Sequence, residues 1–126
     1  MKPNWLAVAA FVAALGVLLG AFGTHIVKDS VSIGMLAIFE TGVRYQMYHA
    51  FGLIVVSWTA TLWPNNYLIV ASGWLFTIGL VIFCTSLYLM VLTDARWLGA
   101  ITPVGGLCLI LGWLAIALAA LRGDKA

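Results

Sequence analysis

The fold is decided by the stretch Phe39-Glu40-Thr41-Gly42-Val43-Arg44-Tyr45-Gln46-Met47-Tyr48-His49, where the polar side chains of a very apolar sequence are gathered. As a helix, this stretch places Glu40 and Arg44 four residues apart with the acid on the N-terminal side, the favourable orientation for an ion pair. At about 100° per residue, His49 lies on nearly the opposite side of the helix. The helix therefore has two polar edges, and a single catalytic cluster is not expected on it.

The composition on either side of this stretch is that of a membrane protein. Of the 126 residues 64% are hydrophobic and only 8% are charged, whereas a soluble domain has about 25% charged residues. Hydrocarbon cannot hydrogen-bond the backbone, so long apolar runs must cross it as helices. The net charge of +2 includes no dense basic cluster, which argues against a nucleic-acid partner. The expected surroundings are the lipid bilayer, and the expected class is all-α.

The apolar runs predict a single transmembrane domain, an integral membrane four-helix bundle. One helix from Ser30 to Trp63 would be roughly 50 Å long, too long for a hydrocarbon core of about 30 Å. The sequence therefore predicts a short interfacial helix between the first two spans, followed by a bend at Gly42. The expected spans are approximately 5–22, 44–63, 67–92 and 103–121, with the interfacial segment at 31–41.

Glycines mark the expected packing faces of the first and last spans. Gly16 and Gly20 form a small-xxx-small pair, which lets another helix approach closely. Gly105, Gly106 and Gly112 give the last span a similar face. No phosphate-binding spacing accompanies these glycines, so they indicate helix packing rather than a ligand loop.

The candidate functional residues form a polar cluster that allows two interpretations. Glu40 and Arg44 are expected to be a structural ion pair that orients the bend at Gly42; the alternative is a charge relay or an anion-binding pair at the mouth of a polar cavity. Tyr45 and Tyr48 are expected to anchor the helix at the membrane–water interface. The full candidate cluster is His25, Glu40, Arg44, Tyr45, Tyr48 and His49.

The two histidines raise the question of a metal or a cofactor. Antiparallel helices can bring His25 and His49 to similar depth, where two imidazoles would suit a shared metal or a haem. Only Glu40 is nearby in sequence, so a closed zinc site lacks its fourth ligand. The sequence therefore predicts no metal site and no cofactor. Hydrogen-bonded packing is the expected role of both histidines, and a proton-linked role is the alternative.

Four segments in the same order carry a family resemblance that covers nearly the whole chain. The chain resembles the YgdD-like family of small inner-membrane proteins, known as the domain of unknown function four-two-three. The resemblance implies a four-helix protein of the cell inner (cytoplasmic) membrane and supplies no activity. The segments are Gly20-Ala21-Phe22-Gly23-Thr24-His25, Glu40-Thr41-Gly42-Val43-Arg44-Tyr45-Gln46-Met47-Tyr48-His49-Ala50, Ser86-Leu87-Tyr88-Leu89 and Leu98-Gly99-Ala100-Ile101-Thr102-Pro103-Val104-Gly105-Gly106.

The expected function is structural or associative, because no catalytic constellation is visible. Such a protein is not an enzyme; it stabilises the membrane or a membrane complex, as a homo-oligomer or with another partner. The alternative is a small ion or solute channel or transporter with His25, Glu40, Arg44 and His49 along a polar path. A haem or metal carrier is the third hypothesis.

Overall fold

The computed structural model describes residues 2–123, and within this range the chain is helical with no strand. Four long helices follow one another: α1 is Trp5–Lys28, α2 is Ile33–Leu62, α3 is Tyr67–Thr93 and α4 is Thr102–Arg122. A short 3-10 helix, Arg96–Ala100, precedes α4. The expectation of an all-α fold is confirmed.

Three of the long helices begin at a polar side chain that caps the first turn, and the fourth has a proline in its first turn. The side chain of Asn4 accepts from the backbone N–H of Ala7, and Asn66 does the same for Leu68 at the start of α3. Ser32 Oγ accepts from Met35 N at 3.2 Å and so begins α2 eleven residues before the predicted span. In α4 the proline Pro103 stands in the first turn, where its missing N–H costs nothing.

The structure corrects the expected bend at Gly42. Residues 33–62 form one 30-residue α-helix, so the predicted interfacial helix at 31–41 is not a separate element. Gly42 serves close packing instead. A Cβ at this position would lie 2.6 Å from Tyr88 Cε1, and the carbonyl oxygen of Gly42 accepts a hydrogen bond from Cys84 Sγ at 3.4 Å. The missing side chain lets α3 approach α2 without breaking the helix.

The first helix is also longer than the predicted 5–22. It is α-helical over Trp5–Leu18, π-helical over Leu19–Gly23 and α-helical again over Thr24–Lys28. The π-helical turn passes through Gly20 and Gly23 without ending the helix, and Gly23 faces the ring of Phe39. A π-helical turn inserted in an α-helix changes the direction of the following side chains while the helix continues.

The four helices pack through large side chains set against small ones. The Trp5 ring covers Gly73 and lies edge-on to Trp74, with ring centroids 5.5 Å apart, which joins α1 to α3. Helices α1 and α3 both pack along α2. Helices α3 and α4 approach most closely, since a Cβ on Gly105 would lie 2.5 Å from the backbone nitrogen of Phe83.

Hydrogen bonds hold the start of α1, the α2–α3 turn and the end of α4 together at one end of the molecule. The ammonium group of Lys2 donates to the carbonyl of Pro64, and Asn66 Nδ2 donates to the carbonyl of Gly123 at 3.0 Å. The other two connections therefore lie at the opposite end.

Three helical stretches are long and apolar enough to cross a membrane: Trp5–Lys28, Tyr67–Thr93 and Arg96–Arg122. The longest helix, α2, is not among them, because it carries Glu40, Arg44, Gln46 and His49.

Candidate functional site

The predicted polar cluster is divided between the inside and the outside of the molecule. Glu40, Arg44 and Tyr48 are exposed on the side of α2 that faces away from the other helices, and Tyr45 is exposed beside them. His25 is exposed near the end of α1, whereas His49 is buried, with 6% of its surface accessible.

The expected ion pair between Glu40 and Arg44 is not formed, and that expectation was wrong. Arg44 Nη2 donates instead to Thr41 Oγ1 at 3.2 Å. Among residues 2–123 the ion pair is the one between Arg96 and Asp94 at the far end of α3, with 3.6 Å between nitrogen and oxygen. An exposed pair on one helix gains only a few tenths of a kcal/mol, so a nearby hydroxyl competes successfully for the guanidinium group.

The two histidines are too far apart along the molecule to share a ligand. Gly23 of α1 faces Phe39 of α2, so His25 lies near the level of Phe39, ten residues or roughly 15 Å along α2 from His49. No group of three His, Cys, Asp or Glu side chains capable of holding a metal ion occurs in the described range. A haem or a metal between the two imidazoles therefore has no geometric support.

His49 is held by two hydrogen bonds that fix its tautomer. Its Nδ1 lies 2.8 Å from the carbonyl oxygen of Tyr45, one turn earlier in α2, and a carbonyl oxygen only accepts. Its Nε2 lies 3.0 Å from the indole nitrogen of Trp113 in α4, which only donates. The ring is therefore neutral with its proton on Nδ1. The edge of Phe76 completes the enclosure, with ring centroids 5.3 Å apart.

Gln46 joins three helices from the same inward face of α2. Its Nε2 donates to the carbonyl oxygen of Val12 in α1 at 3.0 Å. Its Oε1 accepts from the hydroxyl group of Tyr88 in α3 at 2.7 Å. The amide thus ties α1 and α3 to α2, while His49, one turn further along, ties α4 to it.

Sequence reasoning missed Gln46, Tyr88 and Trp113 as site residues. A spacing signal existed for Gln46 alone, because Phe39, Gly42, Gln46, His49 and Leu53 follow one another at intervals of three or four residues and are all buried. Tyr88 and Trp113 lie 42 and 64 residues from their partners, and nothing in the local sequence indicates these pairs.

The polar interior is closed. Every buried side-chain nitrogen or oxygen among the described residues has a hydrogen-bond partner. An apolar groove of about 400 Å³ runs between α1 and α3 and ends on Gln46 and Tyr88, which are bonded to each other. The arrangement stabilises helix packing and leaves no buried side-chain donor or acceptor free for a solute among the described residues.

The predicted packing glycines lie at helix contacts of different closeness. A Cβ on Gly106 would only make ordinary contact with Phe83, at 3.8 Å. At the other four positions an added Cβ would crowd a neighbour: Gly16 against Met47 Sδ (2.5 Å), Gly20 against Val43 Cγ1 (3.2 Å), Gly105 against Phe83 N (2.5 Å) and Gly112 against the Phe76 ring (2.6 Å).

Known proteins of similar sequence match this chain over nearly its full length. Residues 19–106 match the family described as "Protein of unknown function (DUF423)". The chain is 40% identical over 118 residues to the UPF0382 membrane protein YwdK of Bacillus subtilis (strain 168), covering 94% of this chain and 96% of that protein. It is also 40% identical over 118 residues to a UPF0382 membrane protein of Staphylococcus epidermidis (strain ATCC 12228 / FDA PCI 1200), covering 94% and 95%. No solved structure is significantly similar to it.

Proposed function

The chain belongs to the DUF423 family, as its motifs predicted, and is a membrane protein; from that premise we propose that it is a four-span protein of the inner (cytoplasmic) membrane that acts by association and not by catalysis. The observation that carries the proposal is the division of polar groups in α2. The inward groups are bonded to neighbouring helices, and the charged groups of Glu40 and Arg44 face outward.

The packing of α2 supports its role as the fourth span. It packs against both α1 and α3, which are apolar enough to cross a membrane. The polar side chains that reduce its apolarity, Gln46 and His49, are buried and bonded within the protein. Its length of roughly 45 Å matches the 40–45 Å of a bilayer that includes its headgroup regions. With four spans, both ends of the chain lie on the same side of the membrane.

The outward charges support association. Ionisable groups are expensive in hydrocarbon and are normally found facing protein or a polar cavity. Glu40 and Arg44 are exposed and make no ion pair within the described range. A neighbouring protein that covers this face would remove them from lipid.

The same placement weakens the channel or transporter hypothesis. That hypothesis requires His25, Glu40, Arg44 and His49 along one path. Three of these side chains are exposed, and both ring nitrogens of the fourth are occupied by Tyr45 and Trp113. The haem or metal carrier is weakened by the distance between its two histidines.

Site-specific photo-crosslinking in growing cells tests the association. A photoreactive phenylalanine analogue at Phe51, which is exposed on the same side of α2 as Arg44, is expected to give discrete protein adducts. The matched control is the same analogue at Ile110, which is exposed on α4, where only lipid adducts are expected. Lipid adducts alone at both positions, or solute flux through purified protein in liposomes, would overturn the proposal.

A further inference from the structure

We infer that the partner at the outer face of α2 is a second copy of this chain, with Glu40 of each copy paired to Arg44 of the other. The outer face is defined by Glu40, Arg44, Tyr48, Phe51 and Trp58, which are spaced at helical intervals and are all exposed. The inference rests on the proposed function and names its partner.

The depth of Arg44 favours a partner over exposure to lipid. Its neighbour Val43 faces Gly20 of α1, since a Cβ on Gly20 would lie 3.2 Å from Val43 Cγ1. From Gly20 to the end of α1 at Lys28 is eight residues, or roughly 12 Å. The backbone of Arg44 therefore lies roughly 12 Å from that end. Its guanidinium group donates to Thr41, about one turn nearer the end, which is its one hydrogen-bond partner among residues 2–123. Glu40 lies one turn nearer the end and has no ion-pair partner in the same range.

The charge pattern of the outer face is complementary to itself. In a two-fold interface, residue i of one copy contacts residue j of the other, and j contacts i. Glu40 and Arg44 are opposite in sign and one turn apart, roughly 6 Å along the axis, a distance that their long side chains can bridge between two parallel helices. A two-fold contact therefore forms the pair twice. A different protein would need its own acid and base at the same spacing and depth.

The rest of the outer face supplies the apolar area that such a contact needs. Tyr48, Phe51 and Trp58 are 56%, 60% and 60% exposed, and large aromatic side chains are typical anchors of protein interfaces. The other three helices carry no Asp, Glu, Lys or Arg away from their ends, and exposed side chains along them such as Phe11, Val81 and Ile110 are apolar. They can remain in lipid without cost, so the charges single out α2 as the contact between copies.

Charge reversal in two differently tagged copies tests the inference. In Glu40→Arg both positions are basic, and in Arg44→Glu both are acidic. Each variant alone places like charges opposite each other, so its self-association in mild detergent is expected to be at least about tenfold weaker than that of the wild type. Co-expressed, the two variants are complementary at both positions. The mixed dimer is expected to form, measured by two-tag co-purification and single-molecule counting.

Two controls separate the interface from general damage. Lys28→Glu reverses an exposed charge at the end of α1 and is expected to leave self-association unchanged. Because Glu40 and Arg44 are exposed, each single variant is expected to keep the melting temperature of the monomeric protein. The chain with both reversals, Glu40→Arg with Arg44→Glu, is complementary to itself again and is expected to dimerise.

The outcomes distinguish this inference from the proposed function. A wild-type protein that is monomeric in both detergent and vesicles, or a mixture of variants that fails to associate, overturns the dimer. If Phe51 then still crosslinks to another membrane protein, association stands and only its partner was wrongly inferred. If no protein adduct forms at Phe51 either, both proposals fail.

Discussion

At the scale of single residues, the polar side chains inside the molecule hydrogen-bond one helix to another. Gln46 uses both ends of its amide, one on the backbone of α1 and one on Tyr88 of α3. Lipid provides no hydrophobic force between helices, so packing and hydrogen bonds of this kind have to hold them together. An amide that bonds two neighbours at once also fixes their axial position.

Tyr88→Phe tests the hydrogen bond between Tyr88 and Gln46. The substitution keeps the ring and removes the donor to Gln46 Oε1, so we expect a loss of roughly 0.6–1.7 kcal/mol in stability. Thermal unfolding in detergent measures it. Tyr67→Phe is the control, because Tyr67 is exposed at the start of α3; equal loss in both variants would show that the bond contributes nothing.

His49 gives a second residue-scale prediction. Its hydrogen bonds require the proton on Nδ1 and a bare Nε2, which nitrogen-15 NMR of the labelled protein can read directly at neutral pH. Trp113→Phe removes the donor to Nε2, so we expect the Nε2 resonance to shift and stability to fall by about 1–3 kcal/mol. Trp97→Phe, at an exposed position before α4, should do neither. A proton found on Nε2 would contradict the bonding scheme.

At the scale of helices, close approach depends on what each glycine faces. Gly105 lies against the backbone of Phe83, which cannot rotate away, whereas Gly16 lies against Met47, whose side chain is flexible. The same small residue type therefore marks rigid and adaptable contacts, a difference that sequence spacing does not reveal.

Gly105→Ala and Gly106→Ala form a matched pair one residue apart. In the first, the new Cβ would lie 2.5 Å from Phe83 N; in the second, it meets only the Phe83 ring at 3.8 Å. We expect Gly105→Ala to lower stability by about 1–3 kcal/mol through overpacking, and Gly106→Ala to be neutral or stabilising because alanine favours helices. Equal melting temperatures for the two variants would contradict the close α3–α4 contact.

The sequence predicted the long helices better than the residues at which they begin and end. The expected spans at 67–92 and 103–121 agree closely with α3 and α4, because Pro64, Asn66 and Pro103 mark their starts. The predicted division of α2 into two helices was wrong. It compared the length of the helix with the thickness of the hydrocarbon core alone, whereas a helix of roughly 45 Å also fits a bilayer when its ends reach the headgroups. The site was predicted only in part: His49 was named, but its partner comes from another helix and depends on how the four helices meet.

At the scale of the whole molecule, the ends of the helices determine which connections share a side. The hydrogen bonds from Lys2 to Pro64 and from Asn66 to Gly123 place the start of α1, the α2–α3 connection and the end of α4 at one end of the molecule. The exposed residues around Ser30 and Arg96 lie in the two connections at the opposite end.

Cysteine labelling in intact cells tests this arrangement. With Cys84 and Cys108 replaced by alanine, Lys2→Cys and Asn65→Cys are expected to react with an impermeant maleimide from one side of the membrane. Ser30→Cys and Arg96→Cys are expected to react from the other side. Labelling of Asn65→Cys and Ser30→Cys from the same side would show that α2 does not cross.

The internal bonds of α2 also have a consequence for how the protein is made. In the proposed four-span arrangement, Gln46 meets Val12 as soon as the first two helices have been synthesised, but Tyr88 follows 42 residues later, and Trp113 follows His49 by 64 residues. Until then two acceptors lack their donors, and hydrocarbon offers none. Before α3 and α4 are made, α2 is therefore poorly retained in lipid, and its integration is expected to be completed only when the last helix has left the ribosome.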